Sequence, residues 1–417
     1  MTENIVKKVV FITSTLNQSG GGERLLLEGV KYYHKIGIDV HVITWNFDKK
    51  YLFDGKYTIP KLINFDIKLY SQFGSYKFMI NRIFYIFKFR KVLKNIKPDL
   101  IISLSENDTT ILNLAQFCFK KNYVTLIFGQ MFQFPFDPNK YSLIFKKHLK
   151  SIVNSFTGYR DTIPFQNPSK NIFKNFVVEI WSLLRYIAVK NSIKTFVFSK
   201  QVQWEVELLY NRKSQILKGA YEKELLKFSE RKNSKFDYRD NPSQVIILMI
   251  NRLELKKRVH LAIEALVEVI KFNSNVKLII CGLGSQSGIL QKMIEELKLE
   301  KHVSLIGYVN DDDIYQIIIN TDLFMSLDIA DFNISPFVAL ALKKSIIWTD
   351  EMDMDQDLIN CGLINIVTPD RYEVSKAILE YVNNKSSIEI NKNYEFLENY
   401  TWEKYFDTIL HSLHGKS

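Results

Sequence analysis

Hydrophobic residues along the chain fall into two alternating patterns. Short runs that are apolar throughout read as strands buried on both faces: "KVVFIT" (Lys8–Thr13), "DVHVITW" (Asp39–Trp45), "DLIISLS" (Asp99–Ser105), "YVTLIFG" (Tyr123–Gly129) and "KTFVFS" (Lys194–Ser199). Between most of them lie stretches with helical spacing, such as Arg24–Ile36, where Leu25, Leu26, Val30 and Tyr33 share one face. The second half repeats the scheme. Strands are expected at Ser243–Asn251, Val276–Gly282, Val303–Val309, "LFMSLD" and "SIIWTD", with helices at Arg258–Lys271, Gln286–Leu299, Asp312–Asn320 and Pro336–Leu342. Apolar strands separated by helices predict an α/β chain with two Rossmann-like, doubly wound parallel sheets in series. Such a pair is expected to face across a cleft, with ligands at the carboxyl ends of the strands.

A length of 417 residues agrees with two domains, and 47% hydrophobic with 24% charged residues is a globular composition. The boundaries expected are 1–195 and 196–395, with a terminal stretch, 396–417. The charged, turn-rich segment Tyr221–Ser243 reads as an excursion of the second domain. Cys118, Cys281 and Cys361 lie far apart, which points to buried thiols in a reducing compartment and to neither a disulfide frame nor a metal site. The longest uncharged run, Asn122–Phe136, is too short and polar to span a bilayer, and the first strand begins too early for a signal peptide. A cytosolic protein is expected. Charge divides unevenly: residues 1–200 carry 30 Lys/Arg against 13 Asp/Glu, or +17, and the remainder carries −6 of the total +11. An anionic partner is expected for the first half. No groove-reading or RNA-binding motif accompanies the charge, so nucleic acid is not expected.

Two loops carry candidate chemistry. Gly20, Gly21 and Gly22 follow the first strand and precede a helix, where bare N–H groups form an anion site. The spacing is neither a dinucleotide fingerprint nor a P-loop. In the second half, Arg252 ends a strand and Lys256, Lys257 and Arg258 open the next helix. Four cations gathered there imply an anion between them. Gly282 and Gly284, at the following strand end, would let a base or ribose pack on the backbone.

In this order the features resemble the GT-B retaining glycosyltransferases of family four, the glycosyl transferases of group 1, over nearly the whole chain. "SGGGERLLLEGVKYYHKIGIDVHVIT" is similar to that family's first loop and helix, and its Glu-Arg start resembles the lipid-linked-oligosaccharide mannosyltransferases. "NRLELKKRVHLAIEAL" resembles the pattern gRl...Kg...li.A, and "LIICGLGSQSGILQKMIEELKLEKHVSLIGYV" the glycine-turn pattern that follows it. "NYTWEKYFDTILHSL" resembles the closing helix, which implies that a helix within 396–417 crosses back to the first domain. The resemblance implies sugar transfer from a nucleotide donor, such as a UDP- or GDP-sugar, with retention and with neither metal nor other cofactor. It assigns Arg252 and Lys257 to the donor diphosphate, on which negative charge develops, together with the amides of Gly21 and Gly22. Gly282, Gly284, Asn333, Ile334 and Ser335 become donor-side residues.

The family's two glutamates, eight positions apart, are missing. Ala330 and Val338 stand in their places, Lys343 replaces a glycine, and the glycine loop beyond Asp350 has become "EMDMDQDL". Either Asp331 or Asp328 supplies the lost carboxylate, with Asp331 the expected catalytic contact, or the chain is a weak or inactive relative that binds or scaffolds in glycan assembly. Losing one charged hydrogen bond to a sugar costs about 1.5–3 kcal/mol, which weakens binding without abolishing it. Glu106, Asn107, Gln130 and Gln133 are acceptor-side candidates, or else ordinary polar loop residues. The segments Ser75–Lys97 and Asn171–Lys190 mix aromatics with many cations and one acid between them. That composition suits helices lying on an anionic membrane, with a glycan or polyprenyl-phosphate-linked acceptor; the alternative is that the aromatics fill a core.

Overall fold

In the computed structural model of the chain, the described residues are 6–17, 20–49, 56–66, 85–116, 122–128, 172–227, 234–328, 333–351, 354, 356–388 and 394–413. They divide into two compact units, residues 1–218 with 406–417, and residues 219–405. The division falls after Lys218, whereas the sequence placed it at 195/196. The expected boundary lies inside a strand of the first sheet, and the sheet runs on for one more strand.

Unit 1 is built on a seven-stranded sheet: β1 (Lys8–Leu16), β2 (Asp39–Phe47), β3 (Leu62–Asn64), β4 (Leu100–Ser103), β5 (Tyr123–Ile127), β6 (Lys194–Val197) and β7 (Gln215–Ile216). All neighbours are parallel, in the order β3-β2-β1-β4-β5-β6-β7. Val9 to Ile12 are sealed from water on both sides, as expected of a strand covered on two faces. Its helices are α1 (Gly21–Lys35), α2 (Ile86–Ile96), α3 (Glu106–Ala115), α4 (Ile172–Asn191) and α5 (Lys200–Tyr210). Phe89, Leu93, Ile111, Leu112 and Trp181 bring α2, α3 and α4 onto one core with Val10, Ile12, Ile43 and Trp45. Ser105 and Ser199 start α3 and α5 by accepting amides of their first turns.

Unit 2 carries a six-stranded parallel sheet: β8 (Val245–Ile250), β9 (Val276–Cys281), β10 (Val303–Gly307), β11 (Leu323–Ser326), β12 (Ser345–Thr349) and β13 (Ile364–Val367). Its order is β10-β9-β8-β11-β12-β13, the same winding as the first six strands of unit 1. The helices are α6 (Val259–Ile270), α7 (Ser287–Glu296), α8 (Asp311–Asn320), α9 (Ser335–Ala341), α10 (Gln356–Ile359) and α11 (Arg371–Ile388). Asn310 caps α8, with three aspartates in its first turn facing the positive helix end. Among its described residues the expected 221–243 excursion holds two short 3-10 turns, and Tyr221 pairs through its backbone with Tyr400 and Trp402. The last helix, α12 (Trp402–His411), begins in unit 2 and ends in unit 1. Its Phe406 ring packs 5.4 Å from the ring of Tyr33 and edge-on to Phe11 at 6.3 Å.

Candidate functional site

In each sheet the winding reverses beside its first strand, between β1 and β4 and between β8 and β11, and ligands of doubly wound folds bind beyond the carboxyl ends there. In unit 2 that place is occupied by charge. After β8 the chain passes Arg252, closes a 3-10 turn at Leu255–Lys257, and reverses through Arg258 (φ 49°, ψ 35°) into α6. Arg252 leaves half of its side chain in solvent (51%), 3.4 Å from Glu254. Lys257 turns inward. Its Nζ donates to Asp328 Oδ2 at 2.5 Å, with the two side chains 7% and 0% exposed. Asp328 sits just past β11, so the pair ties together the loops on both sides of the reversal. Asn333 Nδ2 donates to the same Asp328 oxygen (2.9 Å) and to Ser326 Oγ (3.0 Å), and Ser326 reaches Asp328 Oδ1 at 3.4 Å.

Arg258 forms a second buried pair. Its Nη1 donates to Glu351 Oε2 at 2.7 Å and to the Leu327 carbonyl at 3.3 Å. The anion that four gathered cations require is therefore supplied in part by the protein, as Asp328 and Glu351. The sequence missed this partnership because the two acids lie 71 and 93 residues away from their cations. Asp328, one of two carboxylates weighed for the lost sugar contact, is instead fully buried and engaged by three side chains. His260, next in the helix, is held below its ordinary range chiefly by burial, which leaves it neutral at pH 7.

The glycines do different work from one another. A Cβ on Gly282 (φ 133°) would lie 1.8 Å from the Asn251 carbonyl oxygen, and one on Gly284 would lie 2.3 Å from that of Leu253. Both glycines let the loop after β9 press against the loop after β8, where Leu253 N donates to Leu283 O. Their bare faces meet protein backbone, which accounts for them without a ligand. Gly22, in the first turn of α1, is open: nothing stands within 4 Å of an added Cβ. Gly21 begins that helix, and Gly20 caps it without a side-chain acceptor.

Of the remaining candidates, Ile334 and Ser335 lie at the start of α9, and Ser335 N donates to Asn333 Oδ1 at 3.3 Å. Glu106 is 3.7 Å from Arg185, and Asn107 accepts from Trp181 at 3.0 Å, so both hold α3 against α4. Asp108, buried at the β1/β4 reversal, accepts from Ser14 (2.8 Å), Ser105 (2.7 Å) and Trp45 (3.4 Å). Asp331, Gln130 and Gln133 lie outside the described residues. Among the described residues no cluster of three or more His, Cys, Asp or Glu could hold a metal ion.

Residues 230–399 match the family model described as glycosyl transferases group 1. No curated protein sequence matches the chain. The fold is similar to several solved structures at low identity. One is Anabaena HepE in complex with UDP and glucose, with TM-score 0.67, 14% identity, and 99% and 100% of the two chains covered. Another is sucrose-phosphate synthase from Thermosynechococcus elongatus (0.70, 13%, 98% of each chain). A third is the apo lipopolysaccharide outer core galactosyltransferase WaaB (0.62, 16%, 98% and 99%). The GT-B fold and the likeness to the group 1 glycosyl transferases that the motifs implied are thus borne out, and with them the class of enzyme, a transferase.

Proposed function

We propose that this group 1 type glycosyltransferase moves a sugar from a UDP- or GDP-sugar to a glycan or polyprenyl-phosphate-linked acceptor, with retention of configuration and without a metal. The observation that carries the reading is the placement of Arg252 and Lys257 in the one loop after β8, at the reversal of the second sheet and inside the stretch that matches the family. The UDP bound in the HepE structure favours a uridine nucleotide among the donors. In the proposed step the bond from C1 to the β-phosphate oxygen breaks and C1 bonds to the acceptor oxygen. The acceptor proton passes to the departing phosphate, so no strong base is needed. Arg252 and Lys257 neutralise the charge left on the diphosphate, as do the amides of Gly21 and Gly22. Asp331, beside the alanine that replaces the first family glutamate, is assigned to the transferred sugar.

A second reading has specific support: Ala330 and Val338 remove both family carboxylates, and Lys257 is neutralised by Asp328. On that reading the chain binds and scaffolds. Transfer and donor hydrolysis measured across a panel of UDP- and GDP-sugars decide between them. Turnover that falls at least about tenfold in Arg252→Ala is the result expected. Nucleotide binding without turnover of any donor, in a folded protein, establishes the scaffold.

The acceptor reading carries a place in the cell, the cytosolic face of an anionic membrane. It is supported by α2, where Phe87 is 81% exposed among Lys91, Lys94 and Lys97, and by exposed Ile180, Leu183 and Ile187 on one face of α4. Other aromatics of the two segments, Phe89 and Trp181, fill the core instead. No helix among the described residues is long and apolar enough to cross a membrane.

A further inference from the structure

Two departures from the family pattern meet one another in this molecule. Arg258 stands where that pattern follows its lysine with glycine, and Glu351 stands in the stretch after β12 that has lost its glycines. Their side chains pair at 2.7 Å and are 9% and 5% exposed. Because β8 and β12 flank β11, the guanidinium reaches over the carboxyl end of β11, touching the Leu327 carbonyl on the way. The backbone has kept the glycine conformation: at φ 49° a residue with a Cβ costs roughly 1–2 kcal/mol. A side chain retained against that cost, with its charge drawn inward, points to a task for the side chain itself.

Both contacts of Arg258 are made by Nη1. Its Nε and Nη2 donate to nothing among the described residues. A guanidinium anchored by one nitrogen, with Nε and Nη2 left over, is a fork set for two oxygens of one anion. Lys257 lies next to it in sequence, and the first turn of α6 follows directly, with no side chain capping its amides.

We infer that Arg258 is a further ligand of the donor diphosphate, its Nε–Nη2 edge taking two phosphate oxygens while Nη1 stays on Glu351. This rests on the donor reading above. In that arrangement the chain has exchanged a family glycine for a third cation at the leaving group. The loss of both family glutamates, which weakens the hold on sugar and ribose, is offset at the phosphates.

The test is direct binding of UDP, GDP, uridine and inorganic pyrophosphate to the full chain by titration calorimetry. The variants are Arg258→Gly/Glu351→Gln, which leaves no buried charge unpaired and relieves the backbone, and Arg258→Lys, which keeps the charge without the fork. A cooperative thermal melt accompanies each. The double variant should bind UDP or GDP and pyrophosphate at least about tenfold more weakly, about 1.4 kcal/mol, with uridine unchanged. Arg258→Lys should lose several-fold and decides the matter should the double variant not fold. Affinities for the diphosphates within twofold of the parent overturn the assignment, as does a parent that binds none of them. A parent that binds pyrophosphate but no nucleoside diphosphate sinks the donor reading, while the loss in Arg258→Gly/Glu351→Gln still upholds an anion site at Arg258.

Discussion

Lys257 and Asp328 are buried as a pair, so removing one takes from the other its ionic partner at 2.5 Å. Lys257→Met should destabilise unit 2 by about 3–5 kcal/mol, and adding Asp328→Asn should restore most of the loss. Denaturant melts of the two proteins check this; equal midpoints for both would contradict the pairing. Activity should not return with stability, because the ammonium assigned to the diphosphate is absent from both. Gly282→Ala should be the most damaging small substitution in the same loops, costing several kcal/mol, since its Cβ has a carbonyl oxygen 1.8 Å away at φ 133°. Arg252 and Lys257 could be singled out from sequence because strand-end cations are local signals. Asp328 and Glu351 could not, because their meaning comes from which strands lie side by side. Gly282 and Gly284 show the converse case. A glycine announces a close approach, and sequence cannot say whether ligand or backbone makes it. Lys343, like Arg258, keeps a positive φ where the family has glycine (59°), with its ammonium 5.3 Å from the Tyr394 ring.

At the scale of elements, every apolar run read as a strand is one, because a strand covered on both faces must be apolar along its whole length. The edge strands β3 and β7, three and two residues long, carry too little pattern to be seen. The acceptor-side candidates Glu106 and Asn107 could be read as ligand residues or loop residues; α4 settles their surroundings by placing Arg185 and Trp181 on them. Each sheet also seats one buried aspartate at its reversal, Asp108 and Asp328, each holding adjacent loops together. Asp108→Ala should therefore loosen the β1 and β4 ends. A lowered melting temperature, with hydrogen exchange rising first in 14–16 and 104–110, is the expected result. Helix α1 offers a cleaner test of its glycines. Gly22→Ala fills open space and removes a flexible residue from a helix, so stability should hold or rise by about 0.5–1 kcal/mol. If those amides meet phosphate or sugar, turnover should fall all the same. Undiminished turnover would reduce Gly22 to a plain helix start.

The whole molecule divides its charge as it divides its sheets, with +17 on residues 1–200. Co-sedimentation with liposomes should require anionic lipid, weaken as salt shortens the Debye length, and fall in Lys88→Gln/Arg90→Gln/Lys91→Gln. Failure to bind at low ionic strength would remove the membrane from the proposal. The division into two units was visible in the sequence as two successive β/α series, but its place was not, since β6, α5 and β7 continue the first series beyond 195. Unit 1 is also assembled from two separated stretches, 1–218 and 406–417. Gly29 leaves room for the Phe406 ring, Tyr33 donates its hydroxyl to the Phe406 carbonyl, and Tyr32 bonds Asp407 at 2.5 Å. On a ribosome, the unit begun first is then completed only after unit 2 has emerged. From the time Lys218 emerges until Phe406 does, Phe11 and Tyr33 wait with that side of their packing unmade. During that interval a chaperone has its opportunity to engage, and a chain cut just before Phe406 would keep the vacancy permanently.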